Sequence, residues 1–173
     1  MIIRVPDLKE EARQLRFRQP AASLNTLVNA SPGAGDQHFA EDLDVDAEVY
    51  RSERNVHFHG GIKGSLRATC GRCLDEFERP LEREFRFVIL PRAAANDDAE
   101  DDEGVDHYSG DELDLGPLVC EQALLALDSL PLCSQECRGL CAGCGANLNR
   151  EACRCQAARP MGKLGGMESL KKL

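Results

Sequence analysis

Residues 132–155 read LCSQECRGLCAGCGANLNREACRC, six cysteines in twenty-four residues, and two more stand far upstream in Cys70-Gly71-Arg72-Cys73. Thiols at these spacings can form bridges, act as a redox pair or ligate a metal. Cys141-Ala-Gly-Cys144-Gly has knuckle spacing: two intervening residues let both sulfurs face one tetrahedral ion, and the following glycine takes the backbone conformation that turns amides toward sulfur. Cys153 and Cys155, after eight intervening residues, can close that tetrahedron. Cys133 and Cys137 need two further ligands, and Cys70 with Cys73 has knuckle spacing and no partner nearby. The preferred assignment is therefore two zinc sites, the upstream one tying a hairpin turn to the later segment. A set of Cys133, Cys137, Cys141 and Cys144 uses the same thiols, and spacing leaves it open.

Composition bears on which chemistry applies. At 173 residues the chain can bury a core without covalent staples. Its first residues, MIIRVPDLKEEARQLRFRQ, lack an apolar stretch of signal-peptide length and carry Asp7, Glu10 and Glu11, so a soluble cytoplasmic protein is expected. No run approaches a membrane span. In a reducing compartment nine cysteines, an odd number, read as metal ligands before bridges. The C-x3-C-x3-C-x2-C run also lacks the ferredoxin spacings, which argues against an iron–sulfur cluster.

The net charge of −9 would discourage contact with nucleic acid, but ten acids lie between Asp97 and Asp114 with no Lys or Arg among them. The remainder is close to neutral. From Glu136 onward seven bases face three acids, a modest positive footprint around the cysteines. Arg138, Arg150, Arg154 and Arg159 are the candidate RNA contacts there. Two tyrosines, six phenylalanines and no tryptophan offer few stacking platforms for bases.

Elements must hold these residues in place. Leu8, Ala12 and Leu15 predict a helix from Asp7 that Pro20 interrupts, and Leu24, Leu27 and Val28 predict a second before the SPGAG turn at 31–35. From Glu41 to Leu90 the period becomes two: Val45, Ala47 and Val49, then Val56 and Phe58, then Phe85, Phe87 and Ile89. That predicts an antiparallel sheet of about four strands, with a bulge or bend at Gly60-Gly61 and Gly64 and the CGRC stretch at a hairpin turn. Asp114 should cap a helix with Pro117 in its first turn, and Pro131 should stop it. The expected class is α+β, one integrated domain of four segments: residues 1–40 helical, 41–95 the sheet with its CxxC turn, 96–113 an acidic disordered loop, and 114–173 the helix plus cysteine-rich segment. In the last stretch Leu164, Met167 and Leu170 recur every third position, but its glycines weaken a helix.

Other reactive side chains have plainer readings. Cys120 falls mid-helix among Leu118, Val119 and Leu124 and reads as a buried inert thiol. His57 and His59 share a strand face and read as packed or exposed histidines beside eight available thiols. No HExxH, G-x-S-x-G or phosphate-binding glycine loop occurs, and a four-thiolate metal has no open position for substrate, so no enzyme is expected.

Taken together, ATCGRCLDEFERPLEREF, DLGPLVCEQALLALDSLP and LCSQECRGLCAGCGANLN closely resemble the YceD family of bacterial and plastid proteins named for large ribosomal RNA subunit accumulation, over about residues 41–172. The combination of CxRCL, an acidic linker, an LLALP-like helix and C-x3-C-x-GLC-x2-CG-x-NLN is specific. The resemblance implies a non-enzymatic role in 23S ribosomal RNA accumulation or large-subunit assembly, in the cytoplasm. Its implied partner is large-subunit ribosomal RNA, a ribosomal protein or an assembly factor; genes of the family often lie beside that of a zinc-binding large-subunit ribosomal protein. One departure is Ala142, where the family usually has proline. The competing expectation is a thiol-based redox or metal-relay protein.

Overall fold

A computed structural model describes residues 1–31, 36–92 and 106–155. In chain order the elements are β1 (Ile2–Arg4), a 3-10 turn (Val5–Asp7), β2 (Arg13–Gln19), α1 (Ala21–Ala30), β3 (Gln37–Phe39), β4 (Leu43–Ser52), β5 (Asn55–Thr69), β6 (Glu76–Pro91), β7 (His107–Tyr108), β8 (Glu112–Asp114) and α2 (Gly116–Leu124). The main sheet runs β2-β4-β5-β6-β7, with β3 also on β5; β1 and β8 form a separate antiparallel ribbon. Only the β6–β7 pairing is parallel among the described residues.

Alternation builds this sheet as the sequence implies. Val45, Ala47 and Val49 of β4 and Val56, Phe58, Ile62 and Leu66 of β5 are buried on one face, where Leu24 and Val28 of α1 and Leu118, Val119 and Ala123 of α2 join the same core. Burial of a side chain such as Phe58 stabilises the fold by about 1.5–3 kcal/mol. The other face is charged and pairs across strands: Arg18 with Asp44, Arg16 with Asp46, Lys63 with Glu82. The cysteines owe their place to the length of the central hairpin. Strand β5 pairs with β4 only as far as Lys63, after which β3 takes that edge at Leu66–Ala68. The β5–β6 hairpin runs on past the end of β4 to its turn at residues 70–75.

Several expectations are corrected. The helix predicted from Asp7 is absent: Leu8 follows a 3-10 turn, and Arg13–Gln19 is strand β2, paired with β4. Period two wins there because Leu15 faces the core while Arg16 and Arg18 meet carboxylates of β4. The N-terminal stretch is therefore mixed rather than helical, although α1 forms at the second predicted position. There is no bulge at Gly60, since β5 keeps continuous register with both neighbours. Its glycine serves close approach instead: a Cβ there would lie 2.5 Å from Ala47 Cα. Residues 106–114 of the acidic segment are ordered, because Tyr108 donates to the Arg54 carbonyl and Leu113 is buried on the β1–β8 ribbon. Residues 96–105 and the leucine-spaced stretch at 164–170 lie outside the described residues.

Helix α2 begins one residue later than expected, with Leu115 at the cap position and the Asp114 carboxylate accepting from Gly116 N–H at 2.9 Å. It stops at Leu124, short of Pro131, and continues as one tighter turn to Leu127. From there the chain reaches the hairpin turn, where Gly71 N–H donates to the Pro131 carbonyl.

Candidate metal centres

Four sulfurs meet where the hairpin turn faces the segment after α2. Cys70 and Cys73 come from the turn and Cys133 and Cys137 from the later chain, with every Sγ within 4.8 Å of the others. The two halves approach closely: Cys70 Sγ to Cys137 Sγ and Cys73 Sγ to Cys133 Sγ are each 3.7 Å. Cys70, Cys73 and Cys137 are 0, 3 and 5% exposed, with Phe77 and Leu132 packed against them. Backbone geometry shapes both halves. Leu74 closes the first turn at φ 61°, donating its amide to the Cys70 carbonyl. Gly139 stands at φ 73°, and a Cβ there would press within 3.0 Å of the Arg72 carbonyl, which accepts from Leu140 N–H. A side chain is thus excluded on two counts.

Polar side chains then lock the halves. Arg72 donates through Nη1 to the carbonyls of Gln135 and Cys137. Asn149 donates to Cys137 Sγ at 3.3 Å while its oxygen accepts from Arg138 N–H. Asp75 receives Asn147 Nδ2 at 2.9 Å and Arg150 at 3.0 Å. Sequence reasoning singled out neither asparagine nor Asp75 as functional, although NLN stands in the motif that carried the resemblance.

A second group lies in the following loop. Cys141, Cys144, Cys153 and Cys155 bring their sulfurs within 4.8 Å of one another. Cys144 and Cys153 are exposed and Cys141 is half-buried. The knuckle is held by Cys141 N–H to the Ala146 carbonyl, by Gly145 N–H to the Cys141 carbonyl, and by Gly145 at φ 71°. Gly143 leaves room for sulfur, since a Cβ there would lie 2.6 Å from Cys155 Sγ. The groups thus partition as the preferred assignment has it, and the set of Cys133, Cys137, Cys141 and Cys144 does not assemble.

Charge is divided unevenly within each group. At Cys70 burial opposes the thiolate, but backbone amides of Cys133, Cys73 and Arg72 outweigh it and hold the pKa at about 6. The Asn149 side chain does the same for Cys137, downward. The Asp75 amide favours a Cys73 thiolate, yet burial and neighbouring sulfurs push it up to about 12. Amides of Cys144 and Gly143 bring Cys141 to about 6, while sulfurs of Cys153, Cys141 and Cys144 push Cys155 up to about 12. In each set two thiols are shifted down, Cys70 with Cys137 and Cys141 with Cys144, and the other two are shifted up by the sulfurs beside them. A divalent cation removes that conflict, and four sulfurs with amides aimed at them fit a tetrahedral metal ion.

The remaining candidates are apart from these groups. Cys120 packs on the core half-buried rather than fully buried, and burial raises its pKa. His57 stacks on Tyr50 at 4.7 Å, and His59 Nε2 lies 3.1 Å from Glu48. Of the four arginines, Arg138 is exposed, Arg150 pairs with Asp75, Arg154 pairs with Glu151 at 2.6 Å, and Arg159 lies outside the described residues.

Comparison with known proteins gives a family match: the model described as large ribosomal RNA subunit accumulation protein YceD covers residues 58–173, which include all eight clustered cysteines. Proteins of Mycobacterium tuberculosis and Mycobacterium bovis are 25% identical over 140 residues, covering 78% of this chain and 68% of theirs. The Arabidopsis thaliana protein named large ribosomal RNA subunit accumulation protein YCED homolog 1, chloroplastic, is 23% identical over 139 residues, 65% of this chain and 43% of that protein. No solved structure matches the chain.

Proposed function

As the chain belongs to the YceD family, the large ribosomal RNA subunit accumulation proteins, we propose that it is a zinc-binding factor that supports 23S ribosomal RNA accumulation and large-subunit biogenesis. It acts by binding and turns over no small substrate. The observation that carries this reading is the family match, which spans the hairpin turn, α2 and both cysteine groups. Site chemistry supports it, because four thiolates saturate a tetrahedral zinc and leave no position for a substrate. Zinc, a borderline-soft cation without geometric preference of its own, suits a donor set of sulfur alone. Among the described residues no helix is long and apolar enough to cross a membrane, and we place the protein in the cytoplasm with the assembling ribosome.

Within this reading the metals are scaffolding. The first fastens the hairpin to the segment carrying Arg138 and Arg150, and the second fixes the loop carrying Arg154. The partner is large-subunit ribosomal RNA, or a ribosomal protein or assembly factor bound to it, and Arg138, Arg150, Arg154 and Arg159 form the RNA contact. Cells lacking the protein should lose 23S relative to 16S ribosomal RNA, and the wild-type chain should restore the ratio. A normal ratio would sink the ribosomal role. Replacing Arg138, Arg154 and Arg159 by Gln, which spares the Arg150–Asp75 brace of the first group, should weaken ribosomal RNA association and its salt dependence while leaving zinc content unchanged. Undiminished association would place the contact on a protein partner.

A further inference from the structure

The two cysteine groups are built unequally. The first has three buried cysteines, Cys70, Cys73 and Cys137, with Cys133 alone exposed, and is braced by Arg72, Asn147, Asn149, Asp75 and Arg150. The second has exposed sulfurs at Cys144 and Cys153. Its outer arm, Ala152–Cys155, is also poorly tied to the body. Among the described residues the last backbone-to-backbone hydrogen bonds of the chain are those of Arg150 and Glu151 to the Asn147 carbonyl. Beyond them the arm's bonds run through sulfur: Cys155 N–H to Cys153 Sγ at 3.3 Å, and the Arg154 amide to the Cys144 sulfur. The Arg154 ion pair reaches back only to Glu151. The sulfur cluster is thus what fastens this arm.

We propose that the second group is an oxidation-released clasp: peroxide oxidises Cys153 and Cys141 to a disulfide, expels the metal and frees the arm, while the first group keeps its metal. The inference rests on the metal reading above. Cys141 and Cys153 are the closest sulfurs in either group, 3.3 Å apart against 3.7–3.9 Å for the other close pairs. Oxidation of a thiolate requires access for the peroxide, and Cys153 is exposed whereas Cys141 is half-buried. The step balances with hydrogen peroxide as oxidant. The Cys153 thiolate attacks one peroxide oxygen, breaking the O–O bond to give a sulfenic acid and hydroxide. The Cys141 thiolate then attacks the Cys153 sulfur and displaces a second hydroxide. Two thiolates, one peroxide and two protons become a disulfide and two waters, with two electrons passing to the peroxide. The ion keeps only Cys144 and Cys155 and dissociates; a dithiol reductant and free zinc reverse the change.

The test uses the full chain loaded with zinc and titrated with hydrogen peroxide. Released zinc is read with a chromogenic chelator, and thiols are mapped by differential alkylation and mass spectrometry. The first equivalent of peroxide should release one zinc per chain and give a Cys141–Cys153 disulfide, with Cys70, Cys73, Cys133 and Cys137 oxidised at least tenfold more slowly. The Cys120→Ser variant should behave identically. Loss of both ions together, earlier oxidation of the first group, or dependence on Cys120 would overturn the clasp while leaving the metal reading intact. A chain that takes up no zinc fails the metal reading itself, and the clasp with it.

Discussion

Replacing Cys73 by Ser should destabilise the whole fold, whereas replacing Cys153 by Ser should act locally. The difference follows from what each metal cross-links. The first group joins residues 60 to 67 positions apart and the second joins residues 9 to 14 apart. Treating each metal as a cross-link on the unfolded chain, the loop-entropy relation gives about 4 kcal/mol for the long closure and about 3 kcal/mol for the short one. Location sharpens the contrast, because the long closure spans β6, β7, β8 and α2, while the short one lies beyond every strand and helix described. For a chain of this size, about 4 kcal/mol corresponds to a fall of ~8–16 °C in melting temperature. The assay is calorimetric melting of zinc-loaded wild type, Cys73→Ser and Cys153→Ser, with hydrogen exchange on β5 and β6. Cys73→Ser should shift the main transition by that amount and loosen the hairpin; Cys153→Ser should leave the main transition within ~2 °C of wild type. Equal shifts in the two variants, or an unmoved transition in Cys73→Ser, would refute the reasoning.

Three further outcomes are expected. Gly60→Ala forces a Cβ against the β4 backbone and should cost about 3 kcal/mol in denaturant unfolding, whereas Gly61→Ala, whose Cβ would meet only the Arg83 carbonyl at 3.5 Å, should change stability by less than about 0.5 kcal/mol. The Asp114 carboxyl is held below its usual range, first by Gly116 N–H and then by the N-terminal amine, so its contribution is present above its unfolded pKa of about 3.9 and is lost as pH falls through the lower folded value. The melting gap between wild type and Asp114→Asn in chelated protein should accordingly be open at neutral pH and close below about pH 4. Because Cys73 and Cys155 are pushed up to about 12, zinc loading at pH 7 must displace protons, and apparent affinity in a chelator competition should fall at least ~10-fold from pH 7 to pH 6.

The division of cysteines was legible because metal spacing is local: Cys141 and Cys144 carry their geometry in three residues, and a hairpin turn at Cys70 follows from strands on either side. What joined Cys70 to Cys137 was not local, and it was reached only by counting ligands. Strand β2 was misread because Leu8, Ala12 and Leu15 imitate a helical stripe, while the deciding partners Asp44 and Asp46 lie about thirty residues away. Strands β7 and β8 were hidden for a similar reason. Each is two or three residues long inside an acidic run, and β8 pairs with β1 at the other end of the chain. The charges argued for a solvated loop, and the anchors Tyr108 and Leu113 draw their stability from partners that no window of sequence contains. Asn147 illustrates the remaining gap: its bond to Asp75 exists only once the two halves of the first group face each other, while Asn149 acts within the later half, on Cys137.

Native mass spectrometry of the intact chain and three variants tests the central claim most directly, because it counts and identifies the metal while leaving the fold assembled. The account predicts two zinc ions on wild type and one on each of Cys73→Ser and Cys144→Ser, with the double variant carrying none. A single ion shared by both groups, iron in place of zinc, or loss of both ions from either single variant would contradict it.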